Sequence, residues 1–154
     1  MGYIKELREL VGHRPLIFVG AVILLENNEG KLLLQQRKFP HGAWGLPGGL
    51  MELGESTEDV ARRELKEETS LEVGTLNLIN VYSGPDQYIK AENGDEFYVV
   101  TISYYANEFT GEIKADLEES IQFNFFSPEQ LPDHMVGSHR MMIEDYLTKK
   151  GDDV

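Results

Sequence analysis

Five charged residues in one short stretch are spaced to do chemistry: Glu55, Arg63, Glu64, Glu67 and Glu68, within GLMELGESTEDVARRELKEETSL from Gly49 to Leu71. The first half crowds Gly45, Pro47, Gly48, Gly49 and Gly54 together, a loop composition that allows tight turns closed to bulkier residues. The second half predicts a helix, with Ser56 or Thr57 as N-cap and Asp59 placed for a capping box with Ser56. On that helix Glu64, Glu67 and Glu68 stand at i, i+3 and i+4, so the spacing points all three to one face within roughly a 100° arc. Like charges at about 4 Å repel by roughly 4 kcal/mol at an effective dielectric near 20. Only Arg63 borders the cluster, and Val60, Ala61 and Leu65 form a thin apolar stripe, weak cement for a core. A hard divalent cation, magnesium or manganese, would turn that repulsion into coordination by oxygen ligands.

Written as G-x5-E-x7-R-E-U-x-E-E-x-G-U, with U a bulky aliphatic, the segment resembles the box of the Nudix (MutT-like) hydrolase family. The matching residues are Gly49, Glu55, Arg63, Glu64, Leu65, Glu67, Glu68 and Leu71, preceded by the family-like Trp44-Gly45-Leu46-Pro47-Gly48. Ser70 departs, standing where the family has a glycine just past the helix. A left-handed serine costs on the order of 1 kcal/mol, so stability suffers slightly and no ligand is lost.

The resemblance implies an α/β/α sandwich, a mixed sheet with helices on both sides, and a metal-dependent pyrophosphohydrolase. Its substrate would be a nucleoside diphosphate derivative of the nucleotide-sugar, ADP-ribose or (d)NTP class. By position, Glu64, Glu67 and Glu68 would ligate Mg2+ or Mn2+, Glu55 would add a ligand or hold the water network, and the backbone at Gly48 and Gly49 would shape the metal site. Arg63 would orient a box glutamate such as Glu55 by a charge-assisted bond. The general base would be a box glutamate or an acid of a later loop, Glu119 first and Glu118 second. The alternative is a non-catalytic, nucleotide-sensing module of the same fold, which the full set of box acids disfavours. Isoprenyl diphosphate isomerase chemistry on this fold uses a cysteine, and the chain has none.

The remaining elements must position this stretch. Residues 3–11 carry a helical apolar period, and Gly12 ends it. Leu16 to Leu25 predicts a strand buried on both faces, with Lys31 to Arg37 its hairpin partner across Asn27-Asn28-Glu29-Gly30. Arg37, at that strand's end, could reach a phosphate; His41 is a weaker candidate, and Trp44 fixes the glycine loop by packing. Thr75 to Tyr82 reads as a strand, Gln87–Ala91 and Phe97–Ala106 as a hairpin around Asn93-Gly94, and Ile121, Phe123 and Phe125 alternate as a strand. Tyr82, Tyr88, Phe97 and Tyr98 are the candidates for stacking a base. A helix from His139 to Leu147 closes the chain, with KKGDDV as a frayed tail.

The 154 residues divide as a helical extension, 1–15, and one Nudix hydrolase domain, 16–149. No cysteine is present, so disulfides and thiolate metal sites are excluded. Fourteen basic against 27 acidic residues give a net charge of −13, which repels nucleic-acid polymers. A small nucleotide arriving with a cation is a different case. No apolar run approaches the roughly 20 residues that span a bilayer, and MGYIKELREL is too charged for a signal peptide. A cytoplasmic enzyme without membrane contact is expected, and a homodimer is open.

Overall fold

The run Leu16–Leu25 alternates which helix it packs against, and the molecule is layered around that alternation. In a computed structural model describing residues 2–152, this strand, β1, follows helix α1 (Tyr3–Val11). The chain continues through β2 (Leu32–Arg37), β3 (Trp44–Gly45), β4 (Gly48–Leu50), α2 (Thr57–Thr69), β5 (Glu72–Val73) and β6 (Asn77–Tyr82). After a 3-10 turn at Pro85–Gln87 come β7 (Tyr88–Lys90), β8 (Glu96–Ala106), β9 (Phe109–Thr110), β10 (Ser120–Phe126) and α3 (His139–Asp152).

Ala21, Ile23 and Leu25 of β1 pack with Val60, Ala61 and Leu65 of α2, whereas Val22 and Leu24 pack with Met142, Ile143 and Tyr146 of α3. Burying a leucine or isoleucine completely contributes about 2 kcal/mol, so this one strand ties both helical layers to the sheet. The apolar stripe of α2 is thin, yet its three residues are wholly buried and suffice to dock it.

The main sheet runs β4-β1-β8-β6, with β7 also on β8; β1 and β8 are parallel over ten registered pairs, from Leu16 opposite Phe97 to Leu25 opposite Ala106. A second sheet, β10-β2-β3, and a two-stranded β5-β9 ribbon complete the architecture. The mixed sheets with helices on both sides are the expected α/β arrangement. The expected hairpin of β1 with β2 does not form: beyond one bridge between Glu26 and Leu32, β2 pairs with β10 and β3. The turn at residues 27–30 therefore passes the chain from one sheet to the other. The Asn93-Gly94 hairpin does form, closed by Ala91 N–H to the Asp95 carbonyl at 2.8 Å.

The closing helix runs past Leu147 to Asp152, because Lys149 donates to the Ile79 carbonyl and Lys150 reaches Glu26 at 3.3 Å. The tail expected to fray, KKGDDV, is therefore helical through Asp152; Asp153 and Val154 lie outside the described residues. Among the described residues no helix is long and apolar enough to cross a membrane.

Candidate active site

Local sequence builds the box helix as its caps dictate. Ser56 accepts from the Asp59 N–H at 3.0 Å while Asp59 accepts from the Ser56 N–H at 3.0 Å, a reciprocal capping box. At the other end Ser70 adopts the left-handed conformation, φ 69°, that the missing glycine would have taken without strain. Glycines bring β4 close to the helix: a side chain at Gly48 would collide with the Ala21 carbonyl, and one at Gly49 with the Glu64 carboxylate.

Glu64 and Glu68 meet beside this glycine edge; Glu67 does not. Glu68 is 3% exposed, and its Oε2 has no hydrogen-bond partner. Burial first, then the charge of Glu64, pushes the Glu68 carboxyl up to about 9, and burial likewise raises Glu64. Glu68 therefore resists ionising beside a charged Glu64 in the protein alone. The Glu67 side chain is 59% exposed and turns to Arg63 Nη1 at 3.4 Å, so the single-faced trio expected from helical spacing is a buried Glu68 beside a half-buried Glu64, with an outlying third member.

Arg63 is saturated by acids. Its Nε and Nη2 donate to the two Glu55 oxygens at 2.6 and 2.9 Å, its Nη1 to Glu64 at 2.8 Å, and Nη2 again to the Leu50 carbonyl at 3.2 Å. Glu55 takes a further bond from the Glu52 N–H at 2.9 Å, and Arg63 holds its carboxyl below the usual range. The fork therefore orients Glu55 and ties the helix to β4.

A cleft of about 860 Å³ opens beside the Glu64–Glu68 pair, within the range of small-ligand sites. Gly48, Gly49, Arg37, Tyr88, Phe97, Glu118 and Glu119 all line it. The acidic loop reaches it because Lys114 N–H bonds the Thr69 carbonyl at 2.8 Å and Asp116 N–H the Glu68 carbonyl at 3.0 Å. That tether brings Glu119 close enough for its charge to act on Glu68. Arg37, by contrast with Arg63, makes no ion pair among the described residues, and its buried Nε is unpartnered. Burial lowers its pKa while Glu68 opposes that shift.

Among the aromatic candidates, Tyr88 and Phe97 face the cleft; Tyr98 lies tilted against Tyr88, ring centroids 5.5 Å apart, but is not part of the lining. Tyr82 is misassigned as a base platform. It is 7% exposed in the core under α3 and donates its hydroxyl to Asp145 at 2.6 Å, since β6 shifts register between Leu78 and Asn80. His41 is exposed and lies outside the lining, and Trp44 packs edge-on against Phe126 at 4.8 Å.

The segment from His134 to Met142 forms a cleft wall that sequence reasoning missed. The Trp44 N–H donates to the His134 carbonyl at 2.9 Å and the Val136 N–H to the Trp44 carbonyl at 2.8 Å, while the Leu46 N–H donates to His139 Nδ1 at 2.9 Å. Gln87 joins the wall, accepting from the Ser138 hydroxyl at 3.0 Å. No periodicity or motif marks residues 134–138, and the helix expected from His139 carried no sign that its first turn lines a cleft.

Comparison with known proteins agrees with this geometry. Residues 17–146 match the NUDIX domain. An ADP-ribose pyrophosphatase of Methanocaldococcus jannaschii is 32% identical over 137 residues, spanning 88% of this chain and 75% of that protein. The crystal structure of a MutT NUDIX hydrolase from Burkholderia pseudomallei superposes with a TM-score of 0.68 at 29% identity, covering 86% of this chain and 98% of that one. The NUDIX domain of Shewanella oneidensis NrtR, solved with ADP ribose, shares the fold with a TM-score of 0.67 at 22% identity, over 97% and 99% of the two chains. With its box acids, glycine edge and cleft in this arrangement, the chain belongs to the Nudix hydrolase family.

Proposed function

We propose that this chain hydrolyses the diphosphate linkage of a nucleoside diphosphate derivative, ADP-ribose foremost, with Mg2+ or Mn2+ held by Glu64, Glu67 and Glu68. The observation that carries the proposal is the buried Glu68, its Oε2 unpartnered at the edge of the cleft, beside the half-buried Glu64. Two acids withdrawn from water with too few donors suit a hard cation with oxygen ligands. Among the described residues no three acids or imidazoles are already grouped as a metal cage, so Glu67 has to turn inward from Arg63. Its exposure and its long 3.4 Å contact make that a small rearrangement.

A divalent cation bound there would supply positive charge for a phosphate oxygen and lower the pKa of a water. The chain's own residues do the rest. The Gly48–Gly49 edge admits the phosphates close to the backbone. Arg63 keeps Glu55 and Glu64 in place, and Glu55 acts through that network rather than from the cleft lining. Arg37 binds a phosphate with donors that no protein acid occupies. Glu119, or Glu118 beside it, takes the proton from the attacking water, and Tyr88 and Phe97 offer apolar surface to the base. ADP-ribose is favoured because the Methanocaldococcus relative is an ADP-ribose pyrophosphatase.

The test is release of nucleoside monophosphate from ADP-ribose, nucleotide sugars and (d)NTPs in Mg2+ or Mn2+. Turnover of ADP-ribose to AMP supports the reading. Nucleotide binding without turnover across the whole panel would replace it with a sensing role.

A further inference from the structure

The cleft wall of residues 134–142 carries a second group with an unused donor. We propose that His139 is a substrate-positioning residue that donates its Nε2–H to a phosphoryl oxygen of the nucleotide, beside Arg37. The inference rests on the pyrophosphohydrolase reading above and adds a residue outside the box to it.

His139 is the first residue of α3, and its ring meets the loop that leads into the box. The Leu46 N–H donates to Nδ1, and a ring nitrogen can accept only when it carries no proton. The ring proton therefore sits on Nε2, which has no partner among the described residues, and His139 lines the cleft. Burial, then the charge of Arg37, keeps the ring neutral. The imidazole is thus a fixed donor rather than a base.

Gly45 lets that ring stand beside the guanidinium. A Cβ there would lie 2.6 Å from Val136 Cγ2, 3.0 Å from His139 Nδ1 and 3.2 Å from Arg37 Nε, so both groups close over the bare glycine. A cation and a neutral donor side by side, neither satisfied by the protein, fit an oxyanion with more than one acceptor oxygen. The diphosphate that enters past Glu64 and Glu68 offers such oxygens.

Two substitutions separate this role from a purely structural one. His139→Asn places an oxygen where Nδ1 accepts from Leu46 but removes the donor, whereas His139→Gln keeps an amide N–H near Nε2 and loses the acceptor. With ADP-ribose, His139→Asn should raise KM about tenfold with kcat changed much less, and His139→Gln should stay within about threefold of the parent. The opposite order overturns the proposal, because it makes the Leu46 bond the reason for the histidine. The parent protein gives a check without turnover: long-range 15N NMR of the imidazoles on adding α,β-methylene-ADP, which cannot be hydrolysed between its phosphates. The His139 Nε2–H signal should shift while Nδ1 stays unprotonated. A proton on Nδ1, or no response at saturation, contradicts the assignment. A response in a protein that turns over no nucleotide would sink the hydrolase reading and leave the phosphate donor standing.

Discussion

Glu26 and Glu68 are both withdrawn from water, and the fold treats them in opposite ways. Glu26 receives the Tyr105 hydroxyl at 3.1 Å, the Tyr146 hydroxyl at 2.8 Å and Lys150 at 3.3 Å, and so latches α3 to the main sheet. Glu68 is crowded by the charge of Glu64 and leaves one oxygen bare. The arginines repeat the contrast: Arg63 is spent on three glutamates and a carbonyl, while Arg37 has no acid bound to it among the described residues. A polar cluster that satisfies itself holds structure together; one left short of partners calls for an explanation, and the proposed cation and phosphate supply it.

The largest effect that would break this contrast lies in the unsatisfied cluster. Glu67→Gln with Glu68→Gln should lower kcat/KM by at least about a thousandfold, a loss of about 4 kcal/mol in transition-state stabilisation. The metal-free fold should hold or gain a few degrees in Tm, because a crowded buried acid is gone. Full activity in the double variant would end the assignment. Arg63→Lys comes next: a lysine cannot reproduce the fork on Glu55, so activity should fall about 10- to 100-fold, with apparent metal affinity weakened. On the satisfied side, Tyr146→Phe should cost about 1 kcal/mol, read as a fall of about 2–4 °C in Tm, with kcat unchanged. If it abolished turnover instead, the latch could not be called purely structural. The smallest change is Ser70→Gly, which relieves a left-handed serine and should raise stability by up to about 1 kcal/mol at unaltered kcat.

Which of these features could be seen in the chain itself follows from how local their causes are. The box helix, its capping box and the strained Ser70 exit depend on residues a few positions apart, and all were legible. So was the two-faced burial of β1, written in an unbroken aliphatic run. The partner of β2 was not, because a turn says that the chain reverses without saying that the flanking strands pair. Tyr82 was misplaced because one irregular step in β6 decides which face a residue takes. Glu67 was grouped with its neighbours because helical spacing knows nothing of Arg63's reach. His139 stayed hidden since the group that defines its role, the Leu46 N–H, lies 93 residues away.

The central claim is that the Glu64–Glu68 pair is incomplete without a cation. Electron paramagnetic resonance titration of the metal-free protein with Mn2+ tests it most directly, with Glu68→Gln alongside. Bound Mn2+ should appear in the parent and its affinity should drop at least about tenfold in the variant. Equal binding by both proteins, or none by either, would contradict the account.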